Sequence, residues 1–232
     1  MKSSPAARLS VIIPAFNEAA RLGATLANAR AALPGAEIIV APADSTDETA
    51  AIALSGGARL VPSARGRGRQ GHAGALAAKG DLLLFLHADT LLPVVAGGII
   101  ARHFARPGVR LATFRLAFAG AGPLLRFYAW WTRWDSVFTR FGDQGIVVER
   151  GFYDELGGFP PWPLFEDVEL LRRARRRTRV WSLPAAVTTS PRRFDRGGGV
   201  RQQLRNGWLL TRFLLGASPD RLAARYQAEH TE

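Results

Sequence analysis

The 232-residue chain contains no cysteine. That excludes disulfides, zinc–thiolate centres and thiol nucleophiles, and permits a reducing compartment. Long hydrophobic runs are missing too. Val11 to Ile13 stops at Pro14, so the N-terminal stretch MKSSPAARLSVIIP lacks the apolar core of a signal peptide. No stretch approaches the ~20 apolar residues that a membrane-spanning helix needs. A cytoplasmic protein is expected, at most peripheral on the inner face of the membrane. No Pro-, Gly- and Ser-rich linker, repeat or low-complexity tract divides the chain, so one domain over residues 1–232 is expected. Acidic residues are scarce: 19 Asp and Glu stand against 31 Lys and Arg, a net charge of +12. That balance favours anionic partners such as nucleic acid, an acidic membrane surface or a phosphorylated small molecule. A genome rich in arginine codons would raise the same count without any functional meaning.

What the chain does have is alternation. Leu9 to Ile13 reads as a short strand, followed by the turn Pro14-Ala15-Phe16-Asn17 and a helix of period ~3.6 through Leu22, Leu26 and Ala29 to Leu33. Ile38-Ile39-Val40 is a second strand, and its loop Pro42-Ala43-Asp44 leads into a helix starting at Ser45-Thr46-Asp47-Glu48 and running to about Leu54. Leu60-Val61 is a weak strand before the loop Arg65 to Arg69 and a small-residue helix from Gln70 to Lys79. Leu82 to Leu86 has the unbroken apolar character of a strand covered on both faces. This spacing predicts an α/β fold, a parallel sheet with helical crossovers, over a nucleotide-binding half at residues 1–100. A second half with a C-terminal helix is expected over 101–232. In it, Leu111 to Phe118 alternates like a half-buried strand and Leu124 to Phe141 is aromatic-rich. Short strands are expected at Gly145 to Val148 and Val180-Trp181, and an amphipathic helix over Gln203 to Leu215. A further helix opens at Glu166-Asp167, and its arginine run from Arg172 to Arg177 reads as a solvated helix end.

Carboxylates stand where strands and loops end: Asp44, Asp89 and Glu166-Asp167. In an open α/β sheet the first two converge at the carboxyl edge, where such folds bind ligands. Asp89 on its own reads equally as a turn-former and helix cap. The loop Arg65-Gly66-Arg67-Gly68-Arg69 offers glycines for close backbone approach and guanidiniums that fork onto phosphate. A flexible surface loop or an RNA-backbone contact is equally open at this point. Carboxylates near a cationic loop suit a divalent ion that shares its shell with a diphosphate. Trp130, Trp131, Trp134 and Trp162 suit either packing or stacking on an acceptor.

Taken in order, SVIIPAFNE, EIIVAPADSTDETA, GRGRQGHAGALAAKGDLLLFLHADT, GDQGIVVER, LGGFPPWPLFEDVEL, TSPRR and LLGASP resemble the inverting family 2 glycosyltransferases of GT-A fold. More narrowly they are similar to a small bacterial subgroup found beside radical-SAM and selenium-related genes. The resemblance spans Leu9 to about Tyr226. It implies a GT-A-like α/β fold, a mostly parallel central sheet flanked by helices. It also implies a nucleotide-sugar donor, a small-molecule or lipid-linked acceptor, and a divalent Mg²⁺ or Mn²⁺ ion. By resemblance, Pro14, Ala15, Phe16 and Glu18 are the first donor contacts, with Asp44 after the second strand. Arg67, Arg69 and Gln70 form the phosphate-side loop, and Arg192 and Arg193 hold the leaving diphosphate. His87-Ala88-Asp89 occupies the place of the metal-binding DxD, with Asp89 as metal ligand and His87 and Ala88 beside the donor. Asp143 and Gln144, with Trp162, lie on the acceptor side, and Glu166-Asp167 is the acidic pair whose aspartate serves as base. Two departures stand out: Pro42 and Ala43 replace acids that many relatives carry, and His87 replaces the first acid of the metal motif.

Two rivals remain at this stage. A nucleotidyltransferase on a related sheet would attack an α-phosphate and release pyrophosphate. A non-catalytic basic module would bind RNA or an anionic membrane through the arginine runs. Carboxylates at three loop positions favour the enzyme, and nucleic acid is not the expected partner.

Overall fold

The computed structural model describes residues 8–118, 130, 135–189 and 199–228. Arg192, Arg193, Trp131, Trp134 and most of the expected Leu124–Phe141 element lie outside them. The strands are β1 (Leu9–Pro14), β2 (Glu37–Ala41), β3 (Arg59–Leu60), β4 (Leu82–Phe85), β5 (Thr90–Leu91), β6 (Leu111–Phe118), β7 (Ile146–Glu149) and β8 (Trp181–Thr189). The helices are α1 (Ala19–Ala32), α2 (Thr49–Ser55), α3 (Arg67–Ala77), α4 (Ala96–Phe104), α5 (Arg150–Glu155), α6 (Glu166–Arg175), α7 (Gly199–Leu214) and α8 (Pro219–Ala228).

All eight strands join one sheet in the order β3-β2-β1-β4-β7-β6-β8-β5. The first four are parallel, with β1 in register between β2 and β4. β7 then runs antiparallel to β4, so that Ile146 lies opposite Phe85. β7 is antiparallel to β6 as well, and β5 to β8. The reversal at β7 matters for the site, because it brings the start of β7 to the same edge where β1, β2 and β4 end.

Helices cover both faces. Leu82, Leu84 and Leu86 pack into a cluster with Leu22, Leu26 and Ala29 of α1, Ala53 of α2, and Ile99 and Ile100 of α4. Leu83 and Phe85 point the other way, into a cluster with Ala75 of α3, Phe152 and Tyr153 of α5, and Leu170 and Leu171 of α6. Alternate side chains of one strand thus serve two cores, which is why the run from Leu82 to Leu86 carries no polar residue.

Several elements depart from the sequence expectation. The helix expected from Ser45-Thr46-Asp47-Glu48 begins at Thr49, and Asp47 spends its carboxylate on the N–H groups of Ala19 and Thr49. The strand expected at Val180-Trp181 continues to Thr189 through Pro184. The ladder absorbs that proline in an irregularity: Thr113 pairs with Ser182, but Arg115 pairs with Ala186. Helices α4, α5 and α8 and the two-residue β5 were not anticipated.

Candidate active site

The carboxyl edge is built from four loops. After β1, Ala15 is buried and donates its N–H to the Ala41 carbonyl at the end of β2. Gln70 on α3, 3% exposed, donates from Nε2 to both the Ala15 and the Ala41 carbonyls at 2.7 Å. One amide therefore ties together the ends of two adjacent parallel strands and the helix that follows the arginine loop. Phe16 lies under the Arg65 guanidinium, 4.0 Å from ring centroid to Cζ, a cation–π contact that holds the loop against the end of β1. Asn17 adopts a left-handed backbone and is fixed from the β2 side: its N–H donates to Ser45 Oγ and its Oδ1 accepts from the Thr46 N–H. Glu18 donates its N–H to Thr49 Oγ1. Asp44 is exposed after Ala43, which is also left-handed. Pro14, the last residue of β1, is half-buried.

After β4, the chain turns at Ala88-Asp89, with the Thr90 N–H bonded to the His87 carbonyl. Thr25 on α1, itself buried, donates to the Ala88 carbonyl at 2.8 Å, and Asn28 exchanges two hydrogen bonds with Leu92. Sequence reading missed these two α1 residues. Their signal was a polar residue at a core-facing helical position, Thr25 between Leu22 and Leu26. His87 and Asp89 are both half-buried, and Ala88 is buried.

Gly142 to Gln144 form one turn of 3₁₀ helix just before β7. The Gly142 N–H donates to Asp167 Oδ2. A Cβ placed on Gly142 would lie 3.0 Å from that oxygen and 3.4 Å from His87 Nε2, so a side chain here would crowd both groups. His87, Gly142 and Asp167 are therefore brought to one point by β4, the turn before β7 and the start of α6. Asp167 Oδ1 accepts from the Val168 N–H at 2.8 Å, so backbone donors orient both carboxylate oxygens. Gln144 is buried and donates to the Thr139 carbonyl, whereas Asp143 is half-buried.

Glu166 is 6% exposed. Burial pushes its carboxyl up to about 7, the neighbouring Asp167 acts in the same direction, and Arg67 pulls it down. Arg67 is half-buried at the start of α3, and Arg69 is exposed. The approach of α3 to this corner is tight: a Cβ on Gly68 would stand 2.2 Å from the Pro160 carbonyl oxygen and 3.1 Å from Glu166 Cβ. The loop before α6 is held by Tyr153, whose hydroxyl accepts from the Phe159 N–H and bonds His72 Nδ1. Phe165 carries a left-handed backbone, φ 66°, uncommon for an aromatic residue. Its ring stacks on Phe213 of α7 at 4.9 Å, and Trp162 meets the same Phe213 edge-on at 5.8 Å. Neither Phe165 nor Phe213 was marked in the sequence as part of the site.

Among the described residues no group of three His, Asp or Glu side chains could cage a metal ion. Asp89 with His87 nevertheless fits an ion whose shell is completed by water and a ligand's phosphate oxygens, since such ions take one or two carboxylates from the protein.

Residues 10–152 match the family model described as Glycosyl transferase family 2. The chain belongs to that family. This glycosyltransferase matches no curated protein sequence. Its fold is shared with the mannosyltransferase PcManGT from Pyrobaculum calidifontis, solved with GDP-Man and Mn²⁺: TM-score 0.67 and 19% identity over 94% of this chain and 69% of that one. It is also similar to glucosyl-3-phosphoglycerate synthase from Mycobacterium tuberculosis, solved with Mn²⁺, UDP and phosphoglyceric acid, at TM-score 0.64 and 20% identity over 91% and 80% of the two chains. S. aureus TarS 1–349 with UDP-GlcNAc gives TM-score 0.61 and 18% identity, and this chain spans 79% of its own length and 58% of that one. The glycosyltransferase has the GT-A architecture of these proteins. No helix among its described residues is long and apolar enough to cross a membrane.

Proposed function

We propose that this glycosyltransferase moves a sugar from a nucleotide-sugar donor to an acceptor hydroxyl with inversion, Asp167 serving as general base. The observation that carries the reading is the meeting of His87, Gly142 and Asp167 at the carboxyl edge of β4. The sheet edge where α/β folds bind ligands is the same edge, which supports Asp167 as the base. The nucleotide-sugar complexes of the similar structures support the donor class.

In this reading the nucleotide end of the donor lies over Pro14, Ala15, Phe16 and Glu18, with Asp44 at its rim. Gln70 keeps β1 and β2 at fixed separation beneath it. Arg67 and Arg69, with Arg192 and Arg193, carry the diphosphate's negative charge. Asp89, beside His87 and Ala88, would hold a divalent ion, which when bound offsets the charge that builds on the leaving diphosphate. Asp167 takes the acceptor's proton as the hydroxyl oxygen bonds to the anomeric carbon and the bond to the diphosphate breaks. One displacement inverts the configuration. Its two backbone hydrogen bonds aim the carboxylate, so no orientation has to be found during reaction. Glu166 stands behind it as a buried carboxyl, and Asp143, Gln144 and Trp162 line the acceptor side. The single-domain division into a donor half over 1–100 and an acceptor half over 101–232 follows the same assignment.

A peripheral contact with an anionic membrane is supported by α7, which buries Leu209 and Leu210 and leaves Trp208 46% exposed beside Arg212, with Leu215 just past its end 80% exposed. Such a contact suits a lipid-linked acceptor on the inner face of the membrane.

The test of the reaction class is the product released from a panel of nucleotide sugars. Free nucleoside diphosphate with a sugar-modified acceptor is expected. Pyrophosphate as the released product would assign a nucleotidyltransferase instead.

A further inference from the structure

A second cluster of charge lies away from the carboxylates, between β6, the turn at 135–140 and the end of α6. Arg140 is 2% exposed. One of its terminal nitrogens, Nη1, donates to Thr113 Oγ1 on β6, and its Nε faces Asp135 Oδ1 at 3.5 Å. Arg175 converges on the same carboxylate from α6, with Nη2 at 2.8 Å from Asp135 Oδ1 and 2.9 Å from the Ser136 carbonyl. Arg115, two residues along β6 from Thr113 and on the same face, has a buried Nε with no partner among the described residues. Ser182, opposite Thr113 in the ladder, has a buried hydroxyl in the same condition. Asp135, Arg175 and Arg115 are the charges that act on Arg140 among the described residues, and burial together with the two like charges holds its guanidinium below the ordinary value.

Among the described residues three guanidiniums stand against one carboxylate, with Arg140 buried and the Arg175 and Asp135 side chains 21% and 32% exposed. Buried charge is ordinarily matched, since the protein interior returns little of the lost hydration. A phosphate monoester carries roughly −1.5 to −2 charges at neutral pH and offers oxygens for several guanidinium donors. The charge count, the buried unpartnered donors on Arg115 and Ser182, and their position all point the same way. Arg140 leads through Phe141 directly into Gly142, and Gln144 donates back to the Thr139 carbonyl, so the cluster adjoins the acceptor side.

We propose that Arg140 and Arg175, which share Asp135, form with Arg115 a binding site for a phosphate group carried by the acceptor. Its assignment to the acceptor rests on the glycosyl-transfer reading above, whereas the phosphate site itself does not. The experiment therefore measures binding without turnover. Inorganic phosphate is titrated against the full-length protein, followed by melting temperature, with chloride at equal ionic strength as reference. The parent should be stabilised by phosphate beyond chloride, and Arg115→Gln should need at least ~10-fold more phosphate for the same shift, the loss expected for one charge-assisted contact. If Arg115→Gln does not fold, Arg175→Gln carries the same expectation, since its side chain is 21% exposed. Equal phosphate response in parent and folded variant overturns the site, as does a parent that responds no more to phosphate than to chloride. Sugar transfer that proceeds normally while phosphate binding is absent would leave the reaction intact and remove this site alone.

Discussion

Replacing Glu166 by Gln tests the electrostatics of the corner where α3 meets α6. The side chain is buried, and the carboxyl is raised from 4.5 to about 7, first by loss of hydration and then by Asp167. In the unfolded chain the carboxyl releases its proton near 4.5; in the folded protein it keeps the proton until about 7. The folded state thus binds more protons between those values, and stability must fall as pH rises through that window. The contribution is full below about pH 4.5 and gone above about pH 7. At about 1.4 kcal/mol per pH unit, the difference amounts to about 3 kcal/mol. Glutamine is neutral at every pH and keeps nearly the same volume, so Glu166→Gln should lack this loss. Urea unfolding at pH 5 and pH 8 measures it: the stability of the variant relative to the parent should rise by about 2–3 kcal/mol between the two conditions. Asp167→Asn, by removing the neighbouring charge, should shrink the parent's fall. A variant-to-parent difference that is the same at both pH values would refute the assignment of a buried, neutral Glu166.

Other consequences follow from the loops. Gln70→Ala removes two buried hydrogen bonds at 2.7 Å; it should cost ~1–3 kcal/mol in unfolding free energy and weaken nucleotide binding, and an unchanged urea midpoint would contradict the tether. Asp89→Asn should abolish the Mn²⁺-dependent part of nucleotide-sugar affinity in calorimetry while the melting temperature holds; equal affinity with metal in both proteins would remove Asp89 as ligand. Sedimentation with anionic vesicles at low salt should carry the protein down, and Trp208→Ala should lessen it; failure of the parent to sediment ends the membrane reading.

The first 100 residues were largely legible because their signals are local. Period-2 and period-3.6 patterns, a buried strand without polar residues and carboxylates at strand ends all lie within windows of a few residues, and β1, β2, β4, α1 and α3 follow them. The second half is governed by contacts distant in sequence. Nothing local in Gly142 announces that it donates to Asp167 across 25 residues. The antiparallel placement of β7 beside β4 brings the two together, and strand order cannot be read from periodicity. Thr25 and Asn28 were passed over because a helix reading treats polar residues at core positions as noise, although they fix the turn at Ala88 and the chain at Leu92. β8 runs past the expected Val180-Trp181 because the ladder takes up Pro184 in an irregularity, which no local pattern signals. The arginines at 115, 140 and 175 are spread over three segments, so only the fold reveals them as one cluster.

The central claim is that Asp167 is the base. Asp167→Asn keeps the size of the side chain and one oxygen that can still accept a backbone N–H, while the other backbone hydrogen bond is lost; the variant should fold with a melting temperature lowered by a few degrees, and nucleotide-sugar binding should stay near the parent's. The proton-accepting carboxylate is lost, and single-turnover transfer should fall by ~10² or more. Both quantities are to be measured on one preparation. Unchanged binding with that loss of rate is the predicted result; transfer within a few-fold of the parent would contradict the account and move the base to Glu166 or Asp143.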